Sequence, residues 1–151
     1  MIRKLQITDT KQVMELWLRG NISAHPFIST EYWESNLASV WEELLQAEVY
    51  VLEQMGSILG FIGLQGDYIA GIFVKEDYRS AGIGKKLLDH VKASHPVLTL
   101  NVYQKNRRAW EFYRREGFKM ISQETESGSG ELEETLRWYR RDEGVTNEQT
   151  V

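Results

Sequence analysis

Apolar positions along this chain follow two rhythms, one repeating every 3.6 residues or so and one every two, and the switches between them mark out its elements. Ile2 to Ile7 reads as a strand. Asp9 is placed to cap a helix on which Val13, Leu16, Trp17 and Gly20 fall at helical spacing. A loop from Asn21 to Ile28 leads to Ser29 and Thr30, cap candidates for a second helix. Glu31 suits its first turn, and Trp33, Leu37, Val40, Trp41, Leu44 and Leu45 repeat along it. Three extended runs follow, Glu48 to Glu53, Ile58 to Gln65 and Tyr68 to Val74, parted by Gln54 to Ser57 and by Gly66-Asp67. Connections this short predict an antiparallel meander.

The second half joins the two rhythms. The run ending at Val74 passes through a glycine-rich turn into a helix with apolar Ile83, Leu87, Leu88 and Val91, which Pro96 ends before Val97 to Tyr103 extends again. Strand, helix and strand in that order predict a βαβ unit, its two strands parallel neighbours joined by a right-handed crossover. Asn106 can cap a helix from about Arg107 to Glu116, stopped by Gly117. Two last strands, about 118–126 and 131–138, are joined by Ser127-Gly128-Ser129-Gly130.

With 151 residues, 42% of them hydrophobic, the chain is sized for one core. A single domain over 1–140 is expected, with a polar, disordered tail at 141–151. There is no cysteine, which excludes a disulfide framework, a thiol nucleophile and a thiolate zinc site; no metal is expected. Met1 to Thr10 is too polar for a secretion signal, and the apolar run Ile58 to Leu64 is too short to span a bilayer. A cytoplasmic protein without a membrane partner is therefore expected. The net charge of -4 argues against nucleic acid as a partner, yet it is unevenly spread. From Arg79 to Lys119, ten Lys or Arg stand against three acids, so that segment is +7 and the remainder -11. Such segregation suits a compact anionic ligand as well as a pair of solvated helix faces.

The feature richest in chemistry is Arg79-Ser80-Ala81-Gly82-Ile83-Gly84-Lys85, set between a strand and an amphipathic helix. Glycines there let backbone approach a ligand, and the first free amides of the next helix face its positive end. A pyrophosphate fits, with Arg79 and Lys85 able to add charge-assisted contacts. The spacing satisfies neither the Walker loop nor the dinucleotide G-x-G-x-x-G pattern, which disfavours ATP and NAD.

Arg79-x-x-Gly82-x-Gly84 resembles the Q/R-x-x-G-x-G/A acetyl-CoA loop of the GNAT N-acetyltransferase superfamily, with Ile72-Phe73-Val74 looking like that family's fourth strand. A second block, Asn106-x-x-Ala109-x-x-Phe112-Tyr113 followed by Gly117-Phe118, resembles its N-x-x-A-x-x-F-Y and G-F pattern. His25-Pro26-Phe27-Ile28, Tyr32-Trp33 and Val102-Tyr103-Gln104-Lys105-Asn106 are similar to small bacterial protein acetyltransferases of that superfamily. The resemblance covers the chain to about Arg140 and implies an α/β (α+β) fold. In it, a mixed, mostly antiparallel sheet of about seven strands carries a central βαβ unit and about four helices, and strands four and five splay around the pantetheine arm of acetyl-CoA. It further implies cofactor contacts from Ile72, Phe73, Val74, Arg79, Ser80, Ala81, Gly82, Ile83, Gly84, Lys85 and Asn106, although a plain N-cap accounts equally well for Asn106.

Acetyl transfer needs a neutral amine, whereas a lysine-type amine, with pKa about 10.4, is protonated at neutral pH. His25, Glu31 and Glu34 are the candidate bases, and Tyr113 the candidate acid that protonates the departing thiolate. Phe27, Trp33 and Tyr103 are candidate acceptor contacts. The resemblance favours a peptide lysine or N-terminal amine as acceptor, with polyamines, aminoglycosides and amino acids open, as is the choice between monomer and homodimer. A catalytically silent acyl-CoA sensor, and an interaction module that would need neither Gly82 nor Gly84, are the rival readings.

Overall fold

The computed structural model describes residues 1–141. The expected tail therefore lies, from residue 142 onward, outside the described residues. Seven strands, β1 (Ile2–Lys4), β2 (Glu48–Gln54), β3 (Ser57–Gln65), β4 (Tyr68–Val74), β5 (Val97–Tyr103), β6 (Lys119–Thr125) and β7 (Leu132–Tyr139), form one sheet in the order β1-β2-β3-β4-β5-β7-β6. Five helices accompany them: α1 (Thr10–Ala24), α2 (Thr30–Ser35), α3 (Leu37–Gln46), α4 (Ile83–Lys92) and α5 (Arg107–Arg115). All pairings are antiparallel except β4 with β5, as the βαβ reading requires.

The second predicted helix is two. Asn36 interrupts it, its side-chain amide donating to the Tyr32 carbonyl at 2.6 Å while its own N–H bonds to Trp33. An Asn inside a helix competes for backbone acceptors in this way, and the turn it makes separates α2 from α3. Asp9 also departs from expectation. It does not cap α1 through its side chain but lies buried in a two-pronged ion pair with Arg3, at 2.7 and 2.9 Å. The Arg3 guanidinium holds its carboxyl below the usual carboxylate range.

Strand alternation divides the core between the two faces of the sheet. Leu98, Leu100, Val102 and Leu136 meet α4 and α5 on one side, where Leu87, Leu88 and Val91 are fully buried and each contributes about 2 kcal/mol. Val49, Val51, Ile58 and Phe61 meet α1 and α3 on the other. Gly60 sets how closely α4 seats on the sheet, because a Cβ there would lie 2.9 Å from the Phe73 carbonyl and 3.0 Å from Ile83. The N-terminus of α4 is thereby drawn down beside β4.

The parallel pairing of β4 and β5 stops almost at once. It comprises Tyr68 with Thr99 and Ile69 with Leu100, and beyond these two rows the strands part. A fork is left in the middle of the sheet, open toward the start of α4. Among the described residues, no helix is long and apolar enough to cross a membrane.

Candidate active site

The turn entering α4 has a backbone shape that can hold an anion. Ser80 and Gly82 both adopt left-handed backbone, φ 70 and 82, and Gly82 is the residue from which α4 starts. Left-handed residues spaced so closely make a concave nest of N–H groups, which the helix start continues. Among the described residues, the amides of Gly82, Ile83, Gly84 and Lys85 have no acceptor, whereas that of Ala81 bonds to Tyr78. A left-handed serine costs roughly 1–2 kcal/mol. Its hydroxyl accepts a bond from Arg108 of α5 at 3.2 Å.

The cations sort differently from the sequence reading. Lys85 turns away from the nest, its ammonium bound to Glu116 at 3.0 Å and beside Asp89 at 3.6 Å, because one helical turn carries it toward those acids. Only its backbone amide remains at the site. Arg108 takes the place at the loop, a position the sequence hides inside a block that reads as helix. Arg79 reaches back toward Ser23 of α1, at 3.5 Å.

Along the fork, β4 presents an unpaired edge. Lys75 donates to Leu59 of β3, so alternation points Phe73 to β3 as well and turns the N–H and C=O groups of Ile72 and Val74 toward the fork. Phe73, expected to offer backbone there, contributes instead a ring stacked on Phe61 at 5.1 Å, beneath α1. Tyr113 comes up from α5 on the opposite face, buried between Phe112 and Phe118. Burial first, and then the nearby phenol of Tyr68 at the base of the fork, push its hydroxyl above the usual phenol range.

The acceptor candidates form an aromatic cluster on the face of α1 and α2. His25 stacks on Trp33 at 5.1 Å and meets Phe27 and Tyr103 edge to face. It is buried, and both ring nitrogens are engaged: Nδ1 with the Asn21 carbonyl at 3.0 Å, Nε2 with the Asn106 side-chain amide at 3.2 Å. The first bond makes Nδ1 the protonated nitrogen, so Nε2 accepts from Asn106 and has no lone pair left for a substrate proton. His25 is a clamp between two loops, which corrects its assignment as a base. Asn106 in turn caps α5, its carbonyl accepting from the Ala109 amide at 3.4 Å.

Trp33, 7% exposed, lies beneath Tyr32 and His25 and offers no open face to an acceptor. Tyr103 is buried to the same degree, and only Phe27 remains at the rim, with the Lys105 ammonium 5.5 Å above its ring. Glu31 and Glu34 stand in solvent on α2. The sequence reading overlooked Glu126, which folds the β6–β7 loop over this cluster by accepting from the amides of Gly128 and Ser129 and from the Tyr103 hydroxyl. An acid placed before Ser127-Gly128-Ser129 is the signal, since a carboxylate can gather the amides of such a turn.

Burial lowers the His25 pKa below its ordinary 6.5. The unfolded chain thus binds this proton more readily than the folded one, and stability falls as pH drops through and below 6.5. Thermal unfolding of the wild type should lose more between pH 7.5 and 5.5 than that of His25→Gln; equal losses would remove His25 as the cause.

The acetyltransferase (GNAT) domain model matches residues 46–120 of this chain. The peptidyl-lysine N-acetyltransferase YiaC of Escherichia coli K12 is 38% identical over 80% of this chain and 84% of its own. The chain belongs to the GNAT acetyltransferases. As a member of this family it is an N-acetyltransferase, and the other comparisons agree. The peptidyl-lysine N-acetyltransferase YjaB of the same organism is 30% identical over 79% of this chain and 82% of that one. The solution structure of apo YjaB superposes with a TM-score of 0.81, at 27% identity, covering 91% of this chain and 96% of the other. The expected GNAT fold is thus present, with its seven-stranded sheet, and the helix count rises to five because of Asn36.

Proposed function

We propose that this enzyme transfers the acetyl group of acetyl-CoA to the side-chain amine of a protein lysine by direct attack on the thioester. One observation carries the reading: the unpaired edge of β4 runs between the free amides at the start of α4 and the base of the fork at Tyr68, whose phenol lies near that of Tyr113. The pyrophosphate sits in the nest of Ser80, Ala81, Gly82, Ile83 and Gly84, with Arg79 and Arg108 beside it. The pantetheine lies along Ile72 and Val74 as an added strand, and an N–H of that edge polarises the thioester carbonyl. Tyr113, which keeps its proton throughout the neutral range, protonates the leaving sulfur.

The lysine acceptor draws support from the names of YiaC and YjaB, both peptidyl-lysine N-acetyltransferases, and from an acidic rim of Glu31, Glu34, Glu124 and Glu126, which suits a cationic side chain. A cytoplasmic location, with its supply of acetyl-CoA, completes the reading. Thiol release from acetyl-CoA should be fastest with the Nα-blocked tripeptide Ala-Lys-Ala and slow with spermidine or an aminoglycoside. Faster turnover of either small amine would overturn the acceptor assignment.

Arg108→Ala should weaken acetyl-CoA binding about fivefold, in line with the loss of one exposed charge-assisted contact. Lys85→Ala, whose partners are Glu116 and Asp89, should change it less than twofold. Calorimetric titration decides, and the reverse order would return the role to Lys85.

A further inference from the structure

No base is left at the acceptor side once His25 is sealed and Glu31 and Glu34 stand in solvent, yet β7 carries a carboxylate that neither motif nor spacing singled out. Cross-strand register locates it. Tyr68, Thr99 and Arg137 form one row across β4, β5 and β7, Asn101 and Thr135 the next, and Tyr103, Glu133 and Glu124 the third. Residues in a row share a face, and successive rows two residues apart share it too. Glu133 therefore lies on the face of α1 and α2, in the same row as Tyr103 of the aromatic cluster, while Tyr68 marks the base of the fork on that face.

Its neighbours among the acids are all in use or in solvent. Glu126 holds the β6–β7 loop, Glu131 pairs with Lys105 at 3.0 Å, Glu134 accepts from the Trp110 indole at 2.8 Å, and Glu124 is exposed. Arg137, the cation on the same face of β7, is turned to Thr99 and Tyr139. Glu133 is half-buried and, among the described residues, its carboxylate has neither an ion pair nor a hydrogen bond. A half-buried carboxylate without a partner is costly unless a ligand supplies the cation.

We propose that Glu133 binds the acceptor ammonium and takes its proton. The inference rests on the acetyltransfer reading above and assigns the base within it. The ammonium gives one proton to the Glu133 carboxylate, and the freed amine forms the N–C bond at the thioester carbonyl. As the C–S bond breaks, Tyr113 protonates the sulfur and recovers a proton from the attacking nitrogen. Glu133 then releases its proton to solvent, so that one ammonium and one thioester yield one amide, one thiol and one proton.

The groups facing Glu133 are Tyr103 on β5, Tyr68 on β4, Glu124 on β6 and Glu126 in the β6–β7 loop. Burial first, and then the charges of Glu126 and Glu124, raise its carboxyl above the usual range, which brings a base closer to its working pH. Its charge in turn reaches the Tyr68 phenol, which burial and then Glu133 raise.

The test is the pH profile of kcat/KM for blocked Ala-Lys-Ala at saturating acetyl-CoA, in wild type, Glu133→Gln, Glu133→Asp and Glu42→Gln. Glu133→Gln should lower kcat/KM about 10²-fold near neutral pH and erase the acidic limb, leaving a rate that climbs with the free-amine fraction. Its KM for acetyl-CoA should stay within twofold. Glu133→Asp should restore the limb, and Glu42→Gln, in solvent on α3, should stay within threefold of wild type. A Glu133→Gln enzyme that keeps its rate or its acidic limb overturns the assignment alone. A wild type that binds acetyl-CoA yet acetylates no amine overturns the acetyltransfer reading and this assignment with it. Should Glu133→Gln fail to fold, Glu133→Asp with an unshifted limb and a rate loss confined to KM for acetyl-CoA also overturns it.

Discussion

Tyr113→Phe should reduce turnover by at least 10²-fold while the affinity for acetyl-CoA stays within twofold. The hydroxyl is the one group the substitution removes. The ring stays packed between Phe112 and Phe118, so stability should change by less than about 1 kcal/mol. A loss seen in kcat and kcat/KM alike, with binding intact, is the pattern of an interaction made in the transition state, and general acids contribute about 10²–10⁴-fold. The site favours this role for a phenol over any carboxyl. Burial and the Tyr68 phenol hold the proton on Tyr113 at every pH at which the enzyme would work, so the donor is always loaded. On the proposed reading the thiolate forms beside this buried ring, where an unneutralised charge is costly. Steady-state kinetics with calorimetric titration of acetyl-CoA checks the result. Unaltered turnover would leave the thiolate to depart unaided or to be protonated by water.

The reach of the sequence differed between backbone and side chains. Alternation and short turns announced the meander and the βαβ unit, because strand and helix periods are written locally. The left-handed turn at Gly82 was legible for the same reason: a glycine before an amphipathic helix has few other uses there. What sequence could not disclose was how distant side chains share partners. Lys85 read as a phosphate contact until Glu116, 31 residues on, was found bound to it. His25 read as a base, but its two nitrogens are spent on Asn21 and on Asn106, the latter 81 residues away. Glu133 shows the converse. In a strand of ordinary alternation nothing distinguishes it from Glu134, yet one lies on the face of α1 and α2 and the other bonds to Trp110 on the opposite face. A single step along a strand reverses the face, so the distinction exists only once the register of β5 and β7 is fixed. Asn36 failed to register as a break because its cost falls within the range that tertiary packing commonly overrides.

Gly82→Glu should abolish measurable binding of acetyl-CoA, weakening it at least 100-fold, and the matched variant Gly82→Ala separates the two reasons. Both substitutions pay for a left-handed residue with a Cβ, roughly 1–2 kcal/mol, and both should lower the melting temperature by a similar amount. Crowding within the protein adds nothing, since a Cβ at this position would meet no atom within 4 Å. The glycine is needed for its backbone conformation, and on the proposed reading the open space beside it receives the pyrophosphate. Only the glutamate brings a negative charge into that space. Against a phosphate at about 4 Å, with an effective dielectric constant near 20, the repulsion is about 4 kcal/mol, and each 1.4 kcal/mol is tenfold in affinity. Gly82→Ala should therefore bind only a few-fold more weakly than wild type, while Gly82→Glu loses its cofactor altogether. The difference between them should shrink as salt rises, because the site is partly open to solvent. Calorimetric titration of both variants at low and high ionic strength measures it. If Gly82→Glu bound acetyl-CoA as well as Gly82→Ala, the free amides at the start of α4 would not be where the pyrophosphate rests.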